Sequence, residues 1–185
     1  MSALLACSLP ADSFLCRYQR EGAYVDCYSV DLPGPVTQAR FVKAFYTTPV
    51  FKLERAILAL LVNRPSTDVQ AAQLGQGRLD AFAAWRVEQQ SNEQLLLCDL
   101  HGRTRSWLMA LPMNGPAGAS TRVYFGSAVV AAANRGQAKN RRGRGFGLLL
   151  GFHKVYSKVL LGAACSRLMA AAAGPPTPGR LRGPA

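Results

Sequence analysis

Between Asp80 and Met113 the chain reads "DAFAAWRVEQQ", "EQLLLCDL" and "RTRSWLMALPM", strand-like stretches separated only by Ser91-Asn92 and His101-Gly102. Connections this short force neighbouring strands to fold back as antiparallel hairpins, because a parallel return needs a long crossover. Gly102 at the second loop position suits a type I′ turn, in which both residues take positive φ. Two-residue loops also fix register, and register fixes faces. Pairing across both loops puts Trp85, Cys98 and Arg105 in one row, Val87, Leu96 and Trp107 in the next, and Gln89, Gln94 and Met109 beyond. The opposite face takes Ala84, Asp99 and Thr104, and Arg86, Leu97 and Ser106. The first face is the bulkier and more apolar, so it is expected to meet the helices and to carry Arg105 inward. A buried guanidinium needs a partner. It finds one in an internal ion pair, in stacking on Trp85, or in the carboxylate or phosphate of a ligand.

The flanking pattern completes an order of elements. Asp12 can cap a short helical piece ending near Arg20, and "AYVDCYSVDL" (Ala23 to Leu32) reads as a strand closed by Pro33-Gly34-Pro35. "VTQARFVKAFY" and "PVFKLERAILALLVN" have apolar residues at helical spacing and meet at Thr47-Thr48-Pro49, where Thr48 suits an N-cap and Pro49 a first turn. Thr67 with Gln70 forms a capping-box pattern for a further short helix, stopped at Gly75. After the hairpins, the loop "NGPAGAS" leads to the strand "TRVYFGSAVV" (Thr121 to Val130), and a long helix runs from about Gly145 to Ala172. Its expected inward arc holds Leu148, Leu149, Phe152, Val155, Tyr156, Val159 and Leu160, with His153 at the edge. The fold class is therefore α+β: an antiparallel sheet packed on a long C-terminal helix, with two or three short helices after the first strand. One domain spans 1–172, and 173–185 is a basic tail expected to be disordered.

Charge is divided unevenly. Met1 to Asp99 holds nine Lys/Arg and ten Asp/Glu; Leu100 to Ala185 holds thirteen Lys/Arg and no acid, so the whole net charge of +12 comes from the second half. Much of it lies in an arm with Arg135, Lys139, Arg141, Arg142 and Arg144, an electrostatic footprint for an anionic polymer or membrane surface. The arm has no aromatic before Phe146 to stack bases, so it reads as a solvated loop and nucleic acid is not the expected partner. Five scattered cysteines without CxxC spacing argue against a disulfide framework or a zinc site and fit a reducing cytoplasm. "LLAC" near the N-terminus lacks a basic leader, so no signal is expected there. The longest apolar stretch, Phe146 to Ala173, is interrupted by His153, Lys154, Lys158 and Arg167, so no transmembrane segment is expected.

No GxSxG, phosphate-binding or dinucleotide motif stands in a suitable context, and no cofactor or metal is indicated. Asp99, His153 or Tyr156 could transfer a proton if placed well. The phrases "AYVDCYSVDL", "FYTTPVFKLERAIL", "RPSTD", "GRTRSWLM", "TRVYFGSAVV" and "GFHKVYSKVLL" resemble a bacterial family carrying a domain of unknown function, over about Leu9 to Ala170. The order of elements also resembles the START-like helix-grip (SRPBCC) superfamily. That resemblance implies a curved sheet of six or seven strands wrapped around the terminal helix. Five strands are readable, so another is sought near Gly75 to Asp80 or in a split at Pro112. The resemblance also implies an internal cavity for a small apolar or amphipathic molecule. The residues expected to line it are Trp85, Arg105, Trp107, Phe125 and Tyr156, with Arg105 meeting an anionic group of the ligand. A cyclase- or hydratase-type enzyme using the same cavity, and anion binding by the arm, are the alternatives. The sequence leaves oligomeric state open.

Overall fold

A computed structural model describes residues 3–115, 118–130 and 144–172, the side chains of 57–62 and 144–154 excepted. The elements in order are β1 (Leu5–Ala6), α1 (Cys16–Arg20), β2 (Tyr24–Pro33), α2 (Gln38–Tyr46), α3 (Pro49–Val62) and α4 (Asp68–Gly75). There follow β3 (Ala81–Phe82), β4 (Trp85–Gln90), β5 (Gln94–Asp99), β6 (Thr104–Gly115), β7 (Gly118–Val129) and α5 (Arg144–Ala172). The seven strands form one open antiparallel sheet in the order β1-β2-β7-β6-β5-β4-β3. The caps expected at Thr48 and Thr67 are present and Thr37 adds another, but Asp12 does not cap α1, whose N-cap position is Leu15 with no side-chain cap bond. Thr37 and Thr48 accept the backbone N–H groups of Arg40 and Phe51, and Thr67 with Gln70 closes a reciprocal capping box. The basic arm up to position 143 and the tail 173–185 lie outside the described residues.

Strand count and register differ from the sequence reading in ways that matter. The additional strands are the two-residue β1 and β3, and β6 runs unbroken through Pro112. "DAFAAWRVEQQ" is not one strand: it turns at Ala83, whose φ of 51° lies in the left-handed region that a residue with a Cβ rarely adopts. β5 and β6 pair as expected, Leu96 against Trp107 and Cys98 against Arg105. Their turn is not type I′, because Gly102 takes a positive φ and His101 does not.

The hairpin between β4 and β5 corrects the face assignment. The Ser91 hydroxyl accepts the N–H groups of Glu93 and Gln94, moving the tip of the turn from Ser91-Asn92 to Asn92-Glu93. A bulge then inserts one extra residue between Val87 and Gln89. Trp85 therefore faces Asp99 rather than Cys98, and Val87 faces Leu97 rather than Leu96. Trp85 and Val87 are shifted to the side opposite Arg105 and Trp107.

The two faces build separate cores. On one, Tyr28, Val30, Leu95, Leu97, Leu108, Ala110, Val123 and Phe125 pack against α2, α4 and α5 through Phe41, Phe45, Leu74, Leu161 and Cys165. On the other, Leu96, Trp107, Met109 and Tyr124 are covered by Leu15 and Tyr18 of the N-terminal segment. The Gln94 side chain fastens that cover: its Oε1 accepts from Trp107 Nε1 (2.9 Å) and the Phe14 N–H (3.1 Å), and its Nε2 donates to the Asp12 carbonyl (3.2 Å). α5 also sits in a different phase from the expected arc. Ser157, Leu160, Leu161, Ala164, Cys165 and Leu168 are buried, while Val155 and Val159 are 63% and 47% exposed. The stripe "LL..AC..L" of the second half sets the helix rotation.

At Gly126 the far-side cover packs closely on the sheet. A Cβ there would lie 2.8 Å from Leu15 Cδ1, 2.9 Å from the Asp26 carbonyl oxygen and 3.0 Å from the Trp107 ring. Gly126→Ala is expected to cost about 2 kcal/mol of stability through this overlap, measured by urea unfolding.

Candidate functional site

Two polar constellations stand on opposite faces of the sheet, and their chemistry differs. On the far side, Arg105 Nε donates to Glu88 Oε2 (2.7 Å) and to the Tyr18 hydroxyl (2.8 Å), and Nη1 donates to the Gly102 carbonyl (2.7 Å). Tyr18 donates to the other oxygen of Glu88, which Arg17 also meets. The guanidinium carbons of Arg17 and Arg105 each lie 4.7 Å from the Tyr18 ring centre. Arg105 thus has the internal ion pair that burial demands, with Tyr18 rather than Trp85 as its aromatic neighbour. The bulge supplies the partner: it turns Glu88 toward α1.

On the helix-facing side a polar row crosses the sheet. Asp26, Ser127 and Ser106 occupy directly opposed positions on β2, β7 and β6. Ser127 donates from Oγ (2.6 Å) and from its N–H (3.2 Å) to Asp26 Oδ1. Ser106 Oγ lies 3.2 Å from the Tyr46 hydroxyl. Tyr46 is wholly buried, and burial first, then the nearby Glu54 charge, raise its pKa against the opposing bond to Ser106. Glu54 of α3 accepts the Tyr156 hydroxyl of α5. Burial raises the Glu54 carboxyl above its usual range while that hydrogen bond opposes the shift, and Tyr156 is raised by burial and by the Glu54 charge. Around these groups Phe45 packs on Phe125 (centroids 4.8 Å apart) and Tyr46 on Phe51 (4.8 Å) and Phe82 (5.4 Å). Two buried polar atoms here, Asp26 Oδ2 and Trp85 Nε1, meet no hydrogen-bond partner among the described residues.

The five expected site residues are therefore divided. Trp85, Phe125 and Tyr156 belong to the helix-facing side; Arg105 and Trp107 belong to the far side. Asp99 caps its own hairpin by accepting the N–H groups of Arg103 (2.7 Å) and Thr104 (3.1 Å), and the His153 side chain lies outside the described residues. Sequence reasoning missed Asp26, Tyr46, Glu54, Ser106 and Ser127. A signal existed for three of them. Asp26 alternates with Tyr28, Val30 and Leu32, Ser127 with Phe125 and Val123, and Ser106 with Leu108 and Ala110, each a polar residue in an inward register. A separate surface pocket of about 270 Å³ is lined by Asn63, Arg64, Pro65, Gln70 and Ala81 to Ala83. Its lining includes both non-glycine residues of positive φ among those described, Asn63 and Ala83. Phe82 stands between this pocket and Tyr46.

Comparison of the chain with protein-family models, with curated proteins and with solved structures finds no match. Among the described residues no helix is long and apolar enough to cross a membrane, and no three His, Cys, Asp or Glu side chains gather to hold a metal.

Arg105→Leu is expected to destabilise the fold by about 2 kcal/mol in chemical denaturation. That is less than for a charge left wholly unpaired, because Glu88 keeps Arg17 and Tyr18. Glu54 has a pH signature. A carboxyl whose folded pKa is raised supports folding fully below its ordinary value of 4.5 and loses that support as pH rises through the folded value. The stability of the wild type relative to Glu54→Gln should therefore fall as pH rises above the ordinary carboxyl value of 4.5 toward the raised folded one. Asp31, lowered by Arg122, and Asp68, lowered by Lys52 and Arg55, work in the opposite direction but cancel in this difference.

Proposed function

We propose that the chain binds a small, mostly apolar molecule bearing a hydrogen-bond donor, held between the helix-facing side of the sheet and α5. The observation that carries this reading is the polar row Asp26–Ser127–Ser106–Tyr46. It is set in an aromatic surround and ends in a buried carboxylate oxygen with no partner among the described residues. A buried acceptor left open is costly unless something donates to it, and apolar walls with few convergent polar groups are the usual make-up of a small-molecule site. The strand order, with helices after β2 and a long helix last, supports the helix-grip resemblance on which the cavity expectation rests. An anionic group on the ligand loses its support, because Arg105 is engaged by Glu88 on the other face. Hydroxyl or ammonium groups suit Asp26 and Glu54 better. Trp85 and Phe125 remain candidate walls and Tyr156 a candidate polar contact. The five free cysteines support a reducing compartment such as the cytoplasm.

A second reading, an enzyme in the same space, is favoured by the Glu54–Tyr156 pair. A carboxyl raised by burial and bonded to a phenol is suited to proton transfer. Arm binding has no observation behind it here, since the arm up to position 143 lies outside the described residues.

Titrating the protein with decylamine, decanol and decanoate while following tryptophan fluorescence tests the binding reading. The amine and the alcohol should bind about tenfold or more tightly than the carboxylate, and Asp26→Asn should narrow that gap. Decanoate binding tightest, or no member of the series binding, would overturn it. Arg105→Leu should leave the order unchanged.

A further inference from the structure

We propose that Cys7 and Cys27 form a redox modification site that closes to a cross-strand disulfide when the protein meets a peroxide. The pairing of β1 with β2, Leu5 against Ser29 and Ala6 against Tyr28, continues one residue further to set Cys7 against Cys27. The Cys7 N–H donates to the Cys27 carbonyl at 3.0 Å. The two sulfurs already lie 3.5 Å apart. Directly opposed residues of an antiparallel pair hold their Cα atoms roughly 4.5–5.5 Å apart, within the roughly 4.4–6.8 Å that a disulfide spans. Side-chain rotation can therefore close the bond without moving the backbone.

The two thiols are not equivalent. Cys27 is buried against the far-side core, and burial first, then Cys7, push its thiol up; Cys7 is half-buried. Cys7 is thus the attacking sulfur and Cys27 the resolving one. As the thiolate, Cys7 attacks one oxygen of hydrogen peroxide. The O–O bond breaks, Cys7 becomes a sulfenic acid, and the departing hydroxide takes up the proton that Cys7 released. The Cys27 sulfur, losing its own proton, then attacks Cys7; the S–O bond breaks and hydroxide leaves to take that proton. Two thiols and one peroxide yield one disulfide and two waters, the thiols being oxidised and the peroxide reduced. The product ties the N-terminal segment, the cover over Trp107, to β2.

Cys16 supplies an internal control. It is also half-buried, but its thiol donates to the Pro10 carbonyl at 3.2 Å. The full chain is treated with stoichiometric hydrogen peroxide, alkylated, digested with trypsin and mapped by mass spectrometry. The expected product links peptide 1–17 to peptide 21–40 through Cys7 and Cys27, is reversed by dithiothreitol, and survives Cys16→Ser. In Cys27→Ser a dimedone adduct should accumulate on Cys7. Closing this loop should raise Tm by roughly 5–10 °C. Linkage through Cys16, or over-oxidation of Cys7 with no linkage in the wild type, would overturn the proposal.

Discussion

A pleated strand sends successive side chains to opposite faces, so the single extra residue in β4 decides which half of the molecule each of its neighbours serves. Before the bulge, Trp85 and Val87 stand with Leu97 on the side of α2, α4 and α5. At the bulge, Glu88 turns the other way, toward Tyr18 and Arg105. Without the bulge, the register that pairs Gln89 with Leu96 would set Glu88 opposite Leu97, on the face away from Arg105. The arrangement is self-consistent: the same irregularity that removes Trp85 from the far face delivers the charge that this face requires.

Local chemistry was readable where one or two residues determine the outcome. Thr48 with Pro49, Thr67 with Gln70, and the β5–β6 register centred on His101-Gly102 all act through adjacent backbone groups, and the structure follows them. The errors arose where a further contact, local in the β4–β5 turn and tertiary elsewhere, outvoted the signal that was read. Ser91 and Asn92 are ordinary turn residues, yet the Ser91 hydroxyl moved the tip by one position. The rotation of α5 was judged from its first half, whereas Leu161, Ala164, Cys165 and Leu168 of the second half set it. Nor did any local feature announce that residues before α1 would roof the second face; that role depends on Gln94, about eighty positions away from its partners Asp12 and Phe14. The expected site residues were divided between the faces by the same shift of register, and the polar members of the helix-facing row stood in alternating registers otherwise filled by apolar residues.

The placement of charge bears on what the helix-facing side can accept. The chain carries a net +12, yet the polar row and its neighbours hold the carboxyls and phenols of Asp26, Glu54, Tyr46 and Tyr156, and the buried cation beside Tyr46, Arg55, is paired with Asp68. Net charge governs long-range attraction; contact chemistry is governed by the few groups removed from water, where an unmatched partner is most costly.

Buried polar groups occur on both faces, and what separates them is closure. On the far side Gln94 uses both its oxygen and its nitrogen, Glu88 receives two arginines and a phenol, and the Trp107 indole has its acceptor. The three buried side-chain atoms without partners among the described residues are Asp26 Oδ2, Gln38 Oε1 and Trp85 Nε1, and all belong to the helix-facing half. A polar group present only to hold a fold together has no reason to stay open, because leaving it so costs about 1–3 kcal/mol. The far-side network, with its bonds complete, is the kind that fixes one arrangement of the chain. The row beneath the helices differs in one atom: Asp26 Oδ2 stays buried without a partner among the described residues.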